Sequence, residues 1–125
     1  MGKYIIKNPK TIDNVKVVND IHDAVKCVRN GEIVARFEWG TSMEPVLEHG
    51  EYGIITPIDV KDVNVGDAVL CEVNGFLMTH MVIIKSNSHK DTPQFLIGST
   101  KFELYGWTDK IYGIVKGTKI FESED

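Results

Sequence analysis

Ser42 and His80 have the residue types and the settings to make and break covalent bonds. Ser42 lies in the run Gly40-Thr41-Ser42-Met43-Glu44-Pro45-Val46-Leu47, where a strand pattern gives way to a turn. Gly40 frees the backbone there and Pro45 fixes it, so the hydroxyl is presented at a defined point. A serine hydroxyl is a poor nucleophile at neutral pH and needs a base within hydrogen-bond reach. Turn amides at Thr41, Ser42 and Met43 are natural donors to a developing oxyanion. Read on residue types alone, the same run is also an ordinary strand-to-turn connection with a solvated serine.

His80 falls in residues 76–85, a strand pattern that places Phe76, Met78, His80 and Val82 on one face and Leu77, Thr79, Met81 and Ile83 on the other. A histidine in so apolar a strand must find a partner or lose its charge through burial. Its unperturbed pKa lies near operating pH, which suits it to accept a serine proton. The plainer reading is a half-buried structural histidine bonded to backbone. Met43, Val46 and Leu47 beside Ser42, and Met78 on the His80 face, are candidate substrate-pocket residues that would serve equally well as core.

Other residues offer less. His22, His49 and His89 are scattered, and neither a His-x-x-x-His nor a paired cysteine spacing occurs, so no metal or cofactor is expected. Lys85 and Lys101 are alternative bases, but Lys85 shares the parity of Met81 and points away from His80 in a regular strand. Tyr105 and Trp107 read as core or rim aromatics in preference to a binding cage.

The elements that must position these residues are mostly strands. Asn19 or Asp20 caps a helix in which Ile21, Ala24, Val25 and Val28 recur at three-to-four spacing, and Asn30-Gly31 closes it. Strands are expected over residues 32–39, 52–58, 67–73, 76–85, 94–98 and 110–121, with Asn74-Gly75 turning a hairpin between the third and fourth. Residues 1–18 read as an arm or two short strands, and residues 122–125 as a solvated tail. The fold class that follows is mainly β, a curled or barrel-like sheet with one N-terminal helix. A single domain is expected overall, with residues 1–31 as arm plus helix packed on residues 32–125.

Composition narrows the function classes. The chain is 42% apolar and 26% charged with four prolines, which suits one packed core and argues against disorder. Its net charge is −4, and residues 41–125 carry seven Lys and Arg against thirteen Asp and Glu. A phosphate-binding partner wants a cationic face, so nucleic acid is not expected. No basic start precedes an apolar run and no apolar stretch is long enough to span a bilayer, so a soluble chain is expected. Cys27 and Cys71 are far apart, Cys71 within the apolar run Ala68-Val69-Leu70-Cys71, which suits a reducing, cytoplasmic location.

The Gly-x-Ser-Met-x-Pro run resembles the nucleophile box shared by signal peptidases and LexA-type repressor peptidases. Three further landmarks follow in that superfamily's order. Val65-Gly66-Asp67-Ala68-Val69-Leu70 is similar to its second strand entry, Thr79-His80-Met81-Val82-Ile83 to the strand bearing the base, and Lys110-Ile111-Tyr112-Gly113-Ile114-Val115 to its closing strand. The resemblance covers most of the chain, from about residue 32 to residue 116, and implies a LexA C-terminal-domain-like fold. It also implies a serine peptidase with Ser42 as nucleophile and His80, 38 residues later, as base. Two positions depart from the pattern. Ser99 stands where the family has an aspartate that orients a histidine base, and Met81 replaces the usual arginine. Glu103 is the nearest acidic replacement for that aspartate, and Asp109 a more distant one.

The implied substrate is an extended polypeptide laid along strand edges. Signal-peptide processing needs a membrane anchor and repressor self-cleavage a DNA-binding partner domain, so the resemblance points to a freestanding soluble relative, with a homodimer as one possible assembly. The competing expectation is a peptide-binding or scaffolding module that keeps the fold without the chemistry.

Overall fold

The computed structural model describes residues 3–5, 10–12, 14–37, 52–87, 91–118 and 122–124. Short strands open the chain: β1 (Lys3–Ile5), β2 (Thr11–Ile12) and β3 (Val15–Lys16), the last two paired with each other. Helix α1 (Ile21–Arg29) follows. The Asp20 carboxylate caps it by accepting from the Asp23 amide at 3.0 Å. At its other end the Gly31 amide donates to the Val28 carbonyl and the Glu32 amide to the Cys27 carbonyl, with Gly31 at φ +87°. That is the paired-bond closure expected of Asn30-Gly31.

The rest of the fold is a seven-stranded antiparallel sheet. In chain order its strands are β4 (Val34–Phe37), β5 (Tyr52–Pro57), β6 (Ala68–Val73), β7 (Phe76–Ser86), β8 (Gln94–Gly98), β9 (Leu104–Thr108) and β10 (Ile111–Thr118). In space the order is β4-β5-β10-β6-β7-β8-β9, so the last long strand returns to fill the gap between β5 and β6. Among the described residues a mainly β fold with one N-terminal α-helix is what forms, and the seven-stranded sheet is open, ending at β4 and β9. Among the described residues no helix is long and apolar enough to cross a membrane.

Both faces of the central strands are covered. Ala24, Val25 and Val28 of α1 pack with Val34, Ile55, Ala68, Leu70 and Val115, and Leu77 and Met81 join them from β7. On the opposite face Val69, Cys71 and Val73 pack with Val82, Phe95, Ile97 and Ile111, with Met78 and Tyr105 at the margin. Strand β6 thus sends alternate residues into two cores, which is why its sequence runs apolar without alternation. Cys71 is fully buried, as a small hydrophobe would be, and desolvation pushes its thiol pKa up to about 12. Met81 faces the helix, where an apolar side chain fits the packing.

Three expectations need correction. Residues 122–124 are not a free tail: Glu122–Glu124 forms β11, paired antiparallel with β1 in the register Lys3↔Glu124 and Ile5↔Glu122. Backbone amides and carbonyls pair whatever the side-chain charge, so an acidic composition does not forbid a strand. Strand β9 has no counterpart in the sequence reading, because Gly106 breaks its pattern at the centre. Strand β7 is irregular: its register with β8 shifts between Val82 and Ile84, which resets the alternation that would have fixed the direction of Lys85. The Lys85 ammonium donates to the Lys61 carbonyl at 2.9 Å.

Candidate active site

The hairpin fixes where His80 stands. Asn74 and Gly75 both take positive φ, +51° and +86°, the conformation of a two-residue turn whose twist matches its strands. From that turn the register runs Val73↔Phe76 to Ala68↔Met81 and sets His80 opposite the fully buried Val69. Residues paired across a ladder share a face, so His80 projects to the side of Val69, Met78 and Val82, away from α1. This is the face sequence parity assigns it.

That face is concave. The sheet curls until β9, three strands along, meets the far end of β6. The Thr108 hydroxyl donates to the Glu72 carbonyl, and the Asn74 side-chain amide donates to the Tyr105 carbonyl at 3.4 Å. Inside the curl the Tyr105 ring stacks on the His80 imidazole, with centroids 4.3 Å apart and planes inclined by 29°. His80 Nδ1 is buried and has no hydrogen-bond partner among the described residues. Desolvation lowers the His80 pKa, and the Glu103 carboxylate pulls weakly the other way. The imidazole is therefore neutral at physiological pH, with a lone pair to accept a proton and an N–H to orient.

The loop from β8 to β9 brings Ser99 and Glu103 into this neighbourhood. The β7–β8 ladder ends at Met81↔Gly98, one residue before Ser99 on the β8 side and one residue after His80 on β7. Ser99 is wholly buried, and its hydroxyl accepts from the amides of Lys101 and Glu103, each at 3.1 Å. The Ser99 amide in turn donates to the Glu103 carbonyl at 2.8 Å. Ser99 is therefore a clamp for its own loop. Glu103 is exposed; its backbone holds the clamp, and its carboxylate acts on His80 through charge, without a hydrogen bond to Nδ1. Asp109 is exposed, beyond the end of β9.

Of the remaining sequence candidates, Met78 is half-buried against the second core cluster, two residues from His80 on the same face. Thr41, Ser42, Met43, Val46 and Leu47 lie outside the described residues. Trp107 is 48% exposed on the edge strand, a rim aromatic. Tyr105 is the contact that sequence reasoning missed, having weighed it as a core or rim aromatic against a binding cage. No spacing rule links residue 105 to residue 80; the pairing exists only once the sheet curls. Comparison of the chain with family models, with curated proteins and with solved structures found no match.

Proposed function

We propose that the chain is a serine peptidase of the signal-peptidase and LexA-like superfamily, cleaving an extended polypeptide through Ser42 and His80. The observation that carries this reading is the state of His80: neutral, and held on the concave face of the sheet by its pairing with Val69. Ser42 attacks the scissile carbonyl and His80 takes the hydroxyl proton, then returns it to the leaving amine. The amides of Thr41, Ser42 and Met43 are assigned to the oxyanion. The test uses a serine-directed fluorophosphonate probe. Labelling at Ser42, abolished in Ser42→Ala, is expected; identical behaviour of the two proteins would sink the reading.

One observation favours a second reading, a peptide-binding module that keeps the fold. Among the described residues no carboxylate is hydrogen-bonded to His80 Nδ1, and such a group normally holds a catalytic imidazole in its productive tautomer. That module would bind extended peptides with equal affinity in wild type and Ser42→Ala, and neither would react with the probe.

A further inference from the structure

No described carboxylate bonds to His80 Nδ1, and the geometry points to a different support for the ring, on β9. Strand β9 pairs with β8 as Ile97↔Gly106 and then Gly98↔Leu104, so Tyr105 is the extra residue of a bulge. A bulge re-aims the side chain it carries. Here it sends the Tyr105 ring onto the imidazole, stacked at 4.3 Å with an inclination of 29°. The backbone that carries the ring is pinned. The Tyr105 carbonyl accepts from Asn74, and Gly106 sits so close to the hairpin that a Cβ there would lie 3.0 Å from Val73 Cγ1 and 3.1 Å from Asn74 Nδ2. With its φ of +141°, a conformation that other residues rarely adopt, Gly106 suits this close approach of β9, so the stack is built into the curl of the sheet.

We propose that Tyr105 is the positioning residue for His80, doing with an aromatic face what a carboxylate does by hydrogen bonding. A carboxylate in a triad has two tasks, to fix the imidazole and to stabilise the imidazolium that forms. A ring stacked face to face restricts rotation of the imidazole about its Cβ–Cγ bond. The negative face of an aromatic ring also favours a cation lying over it. The kinetic half of this inference rests on the Ser42–His80 reading; the structural half does not.

The experiment compares wild type with Tyr105→Phe, which keeps the ring, and Tyr105→Leu, which keeps the apolar bulk without it. Two readouts are taken on the intact chain: the rate of fluorophosphonate labelling at Ser42, and the side-chain NMR relaxation of a ¹³C-labelled His80 imidazole. Tyr105→Phe is expected to label within about twofold of wild type with an ordered imidazole. Tyr105→Leu is expected to label about tenfold more slowly or worse, a barrier change of the size that loss of a stacked cation site would bring, and its imidazole gains motion. Tyr105→Met is the substitute if the leucine variant fails to fold. A leucine variant that labels at the wild-type rate overturns the proposal. So does a phenylalanine variant as slow as leucine, which would place the effect in the hydroxyl. If wild type is not labelled at all, the peptidase reading falls on its own, and the motion of the imidazole decides the role of Tyr105: unchanged order in the leucine variant rejects it.

Discussion

Burial sets the charge state of His80, and this makes the residue sensitive to pH in a definite direction. Because desolvation lowers its pKa, the folded chain binds the proton less readily than the unfolded chain does. Stability therefore rises with pH across this titration: it is complete above the unfolded value of about 6.5 and declines as pH falls from there toward the folded value. Urea midpoints are expected to be higher at about pH 7.5 than at about pH 5.5, a window above most carboxylate titrations. His80→Phe should flatten that difference, and a wild-type midpoint that rises on acidification would contradict the assignment. Ser99 makes a second residue-scale case. Its buried hydroxyl accepts from two amides of an otherwise largely exposed loop, so Ser99→Ala removes both hydrogen bonds. The expected cost is about 1–3 kcal/mol in chemical denaturation, and no loss at all would show that water substitutes freely.

At the scale of elements, the loop from β8 to β9 stores strain beside the site. Phe102 closes the turn by donating its amide to the Ser99 carbonyl and takes φ +65°, a conformation that suits glycine or asparagine and not a bulky side chain. Its ring is 78% exposed and so recovers little through packing. Phe102→Gly is expected to raise stability by about 1 kcal/mol, net of the greater freedom glycine gives the unfolded chain. A thermal melt would decide it, and a lowered midpoint would mean that the Phe102 ring makes contacts of value. The same contrast between local and non-local rules explains what could be read from sequence. Helix α1 and the Asn74-Gly75 hairpin were legible because capping, spacing and turn chemistry act within a few residues. Strand β9 was not, since its identity comes from pairing with β8 and from contact with β6, neither of which leaves a periodic trace around Gly106.

Across the whole molecule, the order β4-β5-β10-β6-β7-β8-β9 decides what meets what, and nothing local in the sequence encodes that β10 returns to lie between β5 and β6. His80 could be assigned its face from parity alone, whereas its stacking partner depended on this closure. A small set of polar contacts holds the curl at its far end. The Thr108 hydroxyl donates to the Glu72 carbonyl and accepts from the Lys110 amide, while the Lys110 ammonium pairs with the Glu72 carboxylate at 3.1 Å. The Lys110 end of the ion pair is exposed and solvent screens it, so the hydroxyl bridge, on a buried threonine, is the stronger tie. Thr108→Val keeps the shape and removes both hydrogen bonds. It is expected to cost about 1–3 kcal/mol and to speed amide exchange along β9 while that of β6 and β7 changes little. Because Tyr105 rides on the same strand, the loosened edge should also free the His80 imidazole, so the NMR signature of Tyr105→Leu should reappear in part from a substitution that touches neither ring. Faster exchange in β9 with an imidazole as ordered as in wild type would show that the bulge and the Asn74 contact hold the stack without the closure at Thr108.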